Sequence, residues 1–302
     1  MKNGLKHHGA VVPMVTPVTS ARELDESAVD RLVDSLLEGD VQGIFVLGTT
    51  GEGAYVPANY RRQLVQRVAR RVDGKCLVYA GLGDLKVGNF EVANDYFRAG
   101  ADAVVAHPPI STPVPNGELA AWYQTLLKHI DGPLILYNIP STTGVSIPLD
   151  TVEKLAANPK VAGVKDSENN PKRHAELLKR LGNRPNFAIF IGVGALMAQG
   201  LKQGADGIVP SVGNLIPKVC HDLCVSAQRG DWVAAEKHAA RMDAVAALYQ
   251  KGRTLSESLA ALKAALYHRG VCAPCVLPPL LPLSQPEQEF LRNQMSLLQL
   301  LG

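Results

Sequence analysis

Val161-Ala162-Gly163-Val164-Lys165-Asp166-Ser167-Glu168 joins a short apolar run to a polar cluster, and Pro159 stands behind the run. An apolar stretch this short between such borders predicts a buried strand ending at Lys165. Burial of a lysine disfavours its ammonium form. A neutral lysine amine is a nucleophile that can form a Schiff base with a ketone. Leu134-Ile135-Leu136-Tyr137 has the same form, and its polar residue lies 28 positions before Lys165. Two strand ends that carry a lysine and a tyrosine suggest carbonyl chemistry.

The pattern repeats along the chain. Segments 9–15, 43–47, 76–80, 103–106, 133–137, 161–165, 187–191 and 207–209 read as strands. Amphipathic helical patterns fill 25–38, 58–72, 87–99, 117–129, 149–157, 171–181 and 195–203. Strand–helix alternation implies parallel pairing with right-handed crossovers. Eight strands predict an α/β fold, a closed (β/α)8 TIM barrel, rather than an open doubly wound sheet, which usually needs fewer strands. A weak repeat agrees: Gly100-Ala101-Asp102-Ala103-Val104-Val105 returns as Gly204-Ala205-Asp206-Gly207-Ile208-Val209. Each glycine is expected to end a helix in the left-handed conformation. Beyond Val209 the strand signals stop. Helical patterns occupy 215–228, 232–250 and 255–268, and a last helix follows Pro286. The expected organisation is a barrel over 1–228 that carries the active site, with a C-terminal helical extension over 229–302 packed on it.

Composition narrows the function. The chain has 302 residues, 46% of them hydrophobic, and a net charge of +3. Arg61-Arg62 and Arg70-Arg71 fall on one predicted helix and read as a solvated face, so no nucleic-acid partner is expected. The first eight residues have no apolar stretch behind their charges, and no run reaches about 18 apolar residues. Neither a signal peptide nor a membrane span is therefore expected, and a cytoplasmic placement is. Cys272-x-x-Cys275 and Cys220-x-x-x-Cys224 could be imagined as a zinc site. The odd count of five argues against a full disulfide set. Buried small hydrophobes are the better reading of all five. No histidine–carboxylate cluster falls on the predicted strand ends, so neither a metal nor another cofactor is expected.

In such barrels the site lies at the carboxyl ends of the strands. The second strand is followed by Gly48-Thr49-Thr50-Gly51-Glu52-Gly53, a turn with free N–H groups and two hydroxyls that can seat a carboxylate. No lysine follows at the spacing of a phosphate loop. The fifth strand ends in Tyr137-Asn138-Ile139-Pro140-Ser141-Thr142-Thr143-Gly144, where a phenol could pass protons to a carbonyl oxygen or carbinolamine. A lone strand tyrosine is more often packing, and Tyr137 draws its weight from Lys165. Asp166 points the other way on the strand, so a simple neighbour salt bridge does not account for Lys165.

Together these motifs resemble those of the dihydrodipicolinate synthase / N-acetylneuraminate lyase family of pyruvate-type class I aldolases. The resemblance rests on Gly48-Thr49-Thr50-Gly51-Glu52, Tyr137-Asn138-Ile139-Pro140 with Thr143-Gly144, and Gly163-Val164-Lys165-Asp166. It extends to Gly192, Gly204-x-x-Gly207 and Ser211-x-Gly213-Asn214, over roughly 9–283. It implies an imine between Lys165 and a 2-oxo acid such as pyruvate. It implies Tyr137 as general acid/base, and Thr49 and Thr50 as carboxylate seat and proton carriers. Gly48, Thr50, Gly192, Val209, Thr142 and His107 are the positions expected to contact substrate. A homo-oligomer, dimer or tetramer, is also implied.

Departures from the family pattern bear on the substrate. Dihydrodipicolinate synthases carry an arginine two residues after the proline of Tyr-Asn-x-Pro; here Thr142 stands there and cannot make a bidentate pair. The common Pro-Tyr-Tyr after strand four is replaced by His107-Pro108-Pro109-Ile110, in which neither Pro109 nor Ile110 relays a proton. The acidic residues of sialic acid lyases after the strand-seven glycine are replaced by Val193-Gly194-Ala195. Unpaired polar substrate groups would cost about 1–3 kcal/mol each, so the expected partner is smaller or more apolar than sialic acid or aspartate semialdehyde. His107 is either a replacement acid/base or a loop cap. Three functions remain open: a Schiff-base lyase (aldolase or dehydratase) on a 2-oxo acid, a 4-hydroxy-tetrahydrodipicolinate synthase that tolerates Thr142, or a non-catalytic 2-oxo acid binding pseudoenzyme.

Overall fold

Eight short strands close on themselves in sequence order: β1 (Gly9–Pro13), β2 (Gly43–Val46), β3 (Leu77–Gly81), β4 (Ala103–Ala106), β5 (Leu134–Asn138), β6 (Val161–Asp166), β7 (Ala188–Ile191) and β8 (Gly207–Ile208). All pairs are parallel, and β8 returns to β1 through Gly9↔Gly207 and Ala10↔Ile208. The computed structural model describes residues 7–83, 90–109 and 115–301. The helices of the barrel are α1 (Glu26–Glu38), α2 (Ala58–Val72), α3 (Glu91–Ala99), α4 (Asn116–His129), α5 (Pro140–Thr143), α6 (Leu149–Ala156), α7 (Pro171–Leu181) and α8 (Met197–Lys202). The expected TIM barrel is the observed fold.

The differences are local. The start of the helix expected over 87–99 falls partly outside the described residues. The helix expected over 195–203 opens instead as a 3-10 turn, Gly194–Leu196, before α8. Helix α5 was not expected. At four residues it is too short to show a helical period, and Gly144 at φ +69 ends it.

Alternation along each strand divides the apolar residues into two sets. One faces the helices. The other fills the barrel, with Phe45, Tyr79, Val105, Ile135, Tyr137 and Phe190 among its members. Edge-to-face rings, Phe45–Tyr137 at 6.4 Å and Tyr79–Phe190 at 6.3 Å, plug the interior. The barrel is a packed core, so chemistry is confined to its rim.

The repeated glycines are left-handed as expected, with φ +108 at Gly100 and +99 at Gly204. The aspartates of the repeat share a role. Asp102 accepts from Val78 N at 2.9 Å, and Asp206 from Ile189 N at 2.8 Å, each tying a strand to its neighbour.

Four helices follow: α9 (Pro217–Gln228), α10 (Trp232–Gln250), α11 (Leu255–His268) and α12 (Gln285–Leu297). Capping boxes, Thr254 with Glu257 and Ser284 with Glu287, start α11 and α12. Ser258 to Leu266 are all buried, so α11 is a core helix rather than a surface one. All five cysteines are free thiols. Four are buried and Cys275 is half-buried. Burial pushes the Cys224 thiol up to about 12, which suppresses the thiolate. Among the described residues no helix is long and apolar enough to cross a membrane.

Candidate active site

Strand pairing sets Tyr137 of β5 opposite Lys165 of β6, and Lys165 opposite Phe190 of β7. All three side chains therefore point into the barrel. Lys165 is 6% exposed. Its Nζ lies 3.9 Å from the centroid of the Tyr137 ring and 5.0 Å from that of Phe45. Among the described residues no ion pair involves Lys165. Asp166, one step along, points outward as expected. It takes Arg173 Nε at 2.7 Å, the Asn138 amide at 3.1 and 3.2 Å, and Glu168 N at 3.0 Å. Burial would raise the Asp166 carboxyl. Its hydrogen bond to His174 and the Arg173 charge, with the bonds from Glu168 N and Arg173, outweigh this and hold it below the usual carboxylate range. The outward carboxylate thus locks the strand ends that carry Tyr137 and Lys165, and leaves the amine unpartnered by an anion.

The turn after β2 is tightly folded. Leu47 and Glu52 take left-handed backbone angles, φ +58 and +53. A Cβ on Gly53 would lie 1.9 Å from the Leu47 carbonyl oxygen, so only glycine fits there. Thr16 Oγ1 donates to Gly51 O at 2.6 Å. Glu52 is fully buried, forms an ion pair with Lys263 of α11, and accepts from Leu277 N at 2.6 Å. Lys263 Nζ also donates to Cys275 O at 2.8 Å. A buried ion pair holds only when its remaining hydrogen-bonding capacity is met, and the Leu277 and Cys275 backbones supply that. The loop is thereby fastened to the C-terminal helices. Among the described hydrogen bonds none uses the backbone N–H of Thr49 or Thr50.

Thr49, Thr50, Tyr137, Lys165, Gly192 and Val209 line one cavity of about 190 Å³. Thr49 Oγ1 stands 3.5 Å from Tyr137 Oη. Burial would push the Tyr137 phenol up. The Lys165 charge, with hydrogen bonds from Lys165, Thr49 and Ser167, outweighs it and holds the phenol below its ordinary value. Ser167 was not assigned from the sequence. It lies two residues beyond Lys165, and the two-residue period of a strand was the signal that pointed to the same side. A Cβ on Gly192 would meet Ser167 Oγ at 2.0 Å and Lys165 Cε at 3.2 Å. The glycine makes room for both side chains. Sequence reasoning also missed the cover over the cavity, where Met242, Asp243, Tyr249 and Gln250 of α10 and Leu255 of α11 complete the lining. Ser211 Oγ and Tyr249 Oη, 2.8 Å apart, join that cover to the loop after β8.

Residues 6–298 match the model of the Dihydrodipicolinate synthetase family. The chain belongs to that family. Its members are lyases of the class I aldolase type. A 4-hydroxy-tetrahydrodipicolinate synthase from Thiobacillus denitrificans is 30% identical over 288 residues, 95% of this chain and 95% of that one. The dihydrodipicolinate synthase structure from Bacteroides thetaiotaomicron superposes with a TM-score of 0.91 at 30% identity, covering 98% of this chain and 99% of that one. YagE, a prophage protein of the same family from E. coli K12 solved in complex with pyruvate, superposes with a TM-score of 0.90 at 26% identity, covering 97% and 99%.

The three remaining predicted positions lie apart from the cavity around Lys165. Gly48, Thr142 and His107 line a second cavity of about 300 Å³, which shares Thr49, Tyr137 and Leu255 with the first. His107 Nδ1 is 2.7 Å from Pro108 O, and the ring stands edge-on to Tyr137 at 6.2 Å. Ile110, the other position where the chain departs from the common Pro-Tyr-Tyr, lies outside the described residues. Among the described residues no cluster of three or more His, Cys, Asp or Glu could hold a metal.

Proposed function

We propose that this dihydrodipicolinate synthetase family lyase works through an imine between Lys165 and the keto carbon of pyruvate or a related 2-oxo acid. The observation that carries the proposal is the buried amine 3.9 Å over the Tyr137 ring, with no ion-pair partner among the described residues. A tyrosinate at Tyr137 would take the Lys165 proton and leave the neutral amine, which adds to the keto carbon. The carbinolamine oxygen leaves as water after taking a proton from Tyr137, with the Thr49 hydroxyl next in line. The protonated imine then accepts the electrons of a broken C–C bond, or stabilises the carbanion that forms one. The substrate carboxylate would sit on the turn at Thr49-Thr50, whose N–H groups have no acceptor among the described hydrogen bonds, and Ser167 and Gly192 would bound the other side. Gly48, Val209, Thr142 and His107 would complete the substrate contacts. A homo-oligomeric assembly and a cytoplasmic setting follow from the resemblance and belong to the same proposal.

Borohydride reduction in the presence of pyruvate, followed by peptide mass spectrometry, tests this. The expected product is a single covalent adduct on Lys165. Its absence with every 2-oxo acid tried would sink the imine and favour a pseudoenzyme. A second reading, condensation of pyruvate with aspartate semialdehyde, is supported by the name the relatives bear. Thr142 speaks against it, because no guanidinium stands there to grip the carboxylate of the semialdehyde. Turnover with aspartate semialdehyde decides between the two.

A further inference from the structure

Between β5 and β6 the register slips by one residue. Leu134 faces Val161, but Ile135 faces Gly163, so Ala162 is an extra residue in β6, a bulge. The packing records it. Val161 and Val164 both belong to the set that faces the helices, although strict alternation would put them on opposite faces. The side-chain period of a strand is two, so one residue of slip moves every later side chain to the other face. In the unslipped register Lys165 would stand level with Asn138, on the outer face, and Tyr137 level with Val164. The slip is what brings Lys165 Nζ to 3.9 Å from the Tyr137 ring centroid.

Both ends of the slipped stretch are fitted to it. At the lower end a Cβ on Gly163 would lie 2.3 Å from the Ala188 carbonyl oxygen, so the bulge rests against β7 where no side chain fits. At the upper end Asn138 and Asp166, both fully buried, become partners. Asn138 Nδ2 donates to the Asp166 carboxylate at 3.1 and 3.2 Å and to Glu168 Oε2 at 3.1 Å, and its Oδ1 accepts from Ile147 N at 2.9 Å. Ser167 N donates to Asn138 O at 2.8 Å. Arg173 Nε holds Asp166 from α7 at 2.7 Å. In the unslipped register the Asn138 amide would meet Lys165, and the buried carboxylate would lose its amide donor, a costly loss.

We propose that Asn138 is a positioning residue: through its bond to Asp166 it selects the slipped register, and so sets the Lys165 amine over the Tyr137 ring. Asn138 lines neither of the two cavities that Tyr137 lines, and its effect on the chemistry passes through the strand pair. Misplacing a reacting group by about 1 Å can cost about 10²-fold in rate. The register of β5 on β6 therefore governs rate as well as stability. The inference deepens the imine proposal and rests on it for its kinetic readout.

The obvious variant, Gly163→Ala, drives a methyl into the Ala188 carbonyl and can simply fail to fold. The test therefore uses Asn138→Ala and Asn138→Asp in the full chain, either of which suffices if the other does not fold. Asn138→Asp keeps the shape and sets a carboxylate against those of Asp166 and Glu168. Urea unfolding counts the folded molecules, and rates are taken per folded molecule. Borohydride trapping over a series of pyruvate concentrations then gives a maximal rate and a half-saturating concentration. The maximal rate at Lys165 should fall at least about tenfold. The half-saturating concentration should stay close to that of the wild type, because the seat at Thr49-Thr50 is untouched. A second readout does not need the imine. In Asn138→Ala, which adds no charge, the tyrosine that ionises below its usual range in the ultraviolet titration should move up, as the amine leaves the Tyr137 ring. A wild-type trapping rate in the folded variants would overturn the inference, and so would a loss confined to the half-saturating concentration. No adduct in the wild type would overturn the imine instead. The titration then decides the inference alone, and an unmoved tyrosine would sink it.

Discussion

Among the described residues two lysines are buried, and their surroundings differ in one respect. Lys263 of α11 is fully buried and touches a carboxylate, Glu52, and a carbonyl, Cys275 O. Lys165 of β6 is 6% exposed and touches aromatic faces and the Tyr137 phenol. The first is held in place by these two groups. The second has the rings of Tyr137 and Phe45 beside it and, among the described residues, no ion-pair partner. Burial is common to both lysines, and the difference between them is the carboxylate. The residue that might have quenched Lys165, its neighbour Asp166, is turned outward by strand geometry and spent on Arg173.

Breaking each half of this comparison should give opposite signatures. Lys165→Met is expected to abolish both the borohydride adduct and turnover, with the melting temperature kept or raised, because a buried charge is replaced by an apolar chain. Tyr137→Phe should keep the fold and lose about 10²–10⁴-fold in kcat, the usual share of a positioned acid/base; steady-state kinetics read this directly. Lys263→Met should do the reverse. It strands the Glu52 carboxylate and should cost about 3–5 kcal/mol of stability, measured by urea unfolding, and the folded fraction should still trap pyruvate at Lys165. A second change, Glu52→Gln, should return part of that loss.

Acid should sharpen the same contrast through Asp166. Its carboxyl titrates below the ordinary value of 3.8, so its stabilising contribution is complete above that value. The contribution fades as the pH falls toward the folded-state value, because protonation ends the attraction to Arg173. Asp166→Asn should flatten the acid limb of the stability–pH curve below about pH 4, and wild-type unfolding in urea at stepped pH supplies the reference. The smallest effect concerns the phenol. A tyrosine should ionise below its usual range in the ultraviolet titration. That component should vanish in Tyr137→Phe and move up in Lys165→Met, where burial acts with less opposition.

Much of this was legible in the chain, for reasons that can be stated. The strands are short apolar runs closed by polar residues, but the register that faces Tyr137 with Lys165 was not legible, because it depends on a shift in the β5–β6 pairing between Leu134 and Ile135. Ser167 was available from the two-residue period and was passed over. Lys263 was not legible. It sits in Leu262-Lys263-Ala264-Ala265, a helix buried on all sides, where no amphipathic period singles out a polar residue. The backbone that shares Glu52 with it, at Leu277, lies 225 positions from that carboxylate. The cover supplied by α10 was hidden for the same reason, since Tyr249 meets Ser211 only through the packing of α10 onto the barrel. His107 and Thr142 were legible as rim positions. That they line a cavity other than the one Lys165 lines was not, because strand order says which loops share a rim and not how side chains divide it.

The latch between Glu52 and Lys263 has a consequence for exchange between relatives. The amine and the phenol come from β5 and β6, whereas Leu255, Ser256, Leu259 and Leu280 of the second cavity come from a contiguous stretch near the end of the chain. Phe45, Tyr55, His107 and Thr142 of the barrel line the same cavity, so both parts of the chain build it. A chimera that takes residues 251–283 from another family member should keep this chain's borohydride adduct at Lys165. The graft must bring an ammonium to meet Glu52, so the latch is the joint at which the two pieces are made to fit.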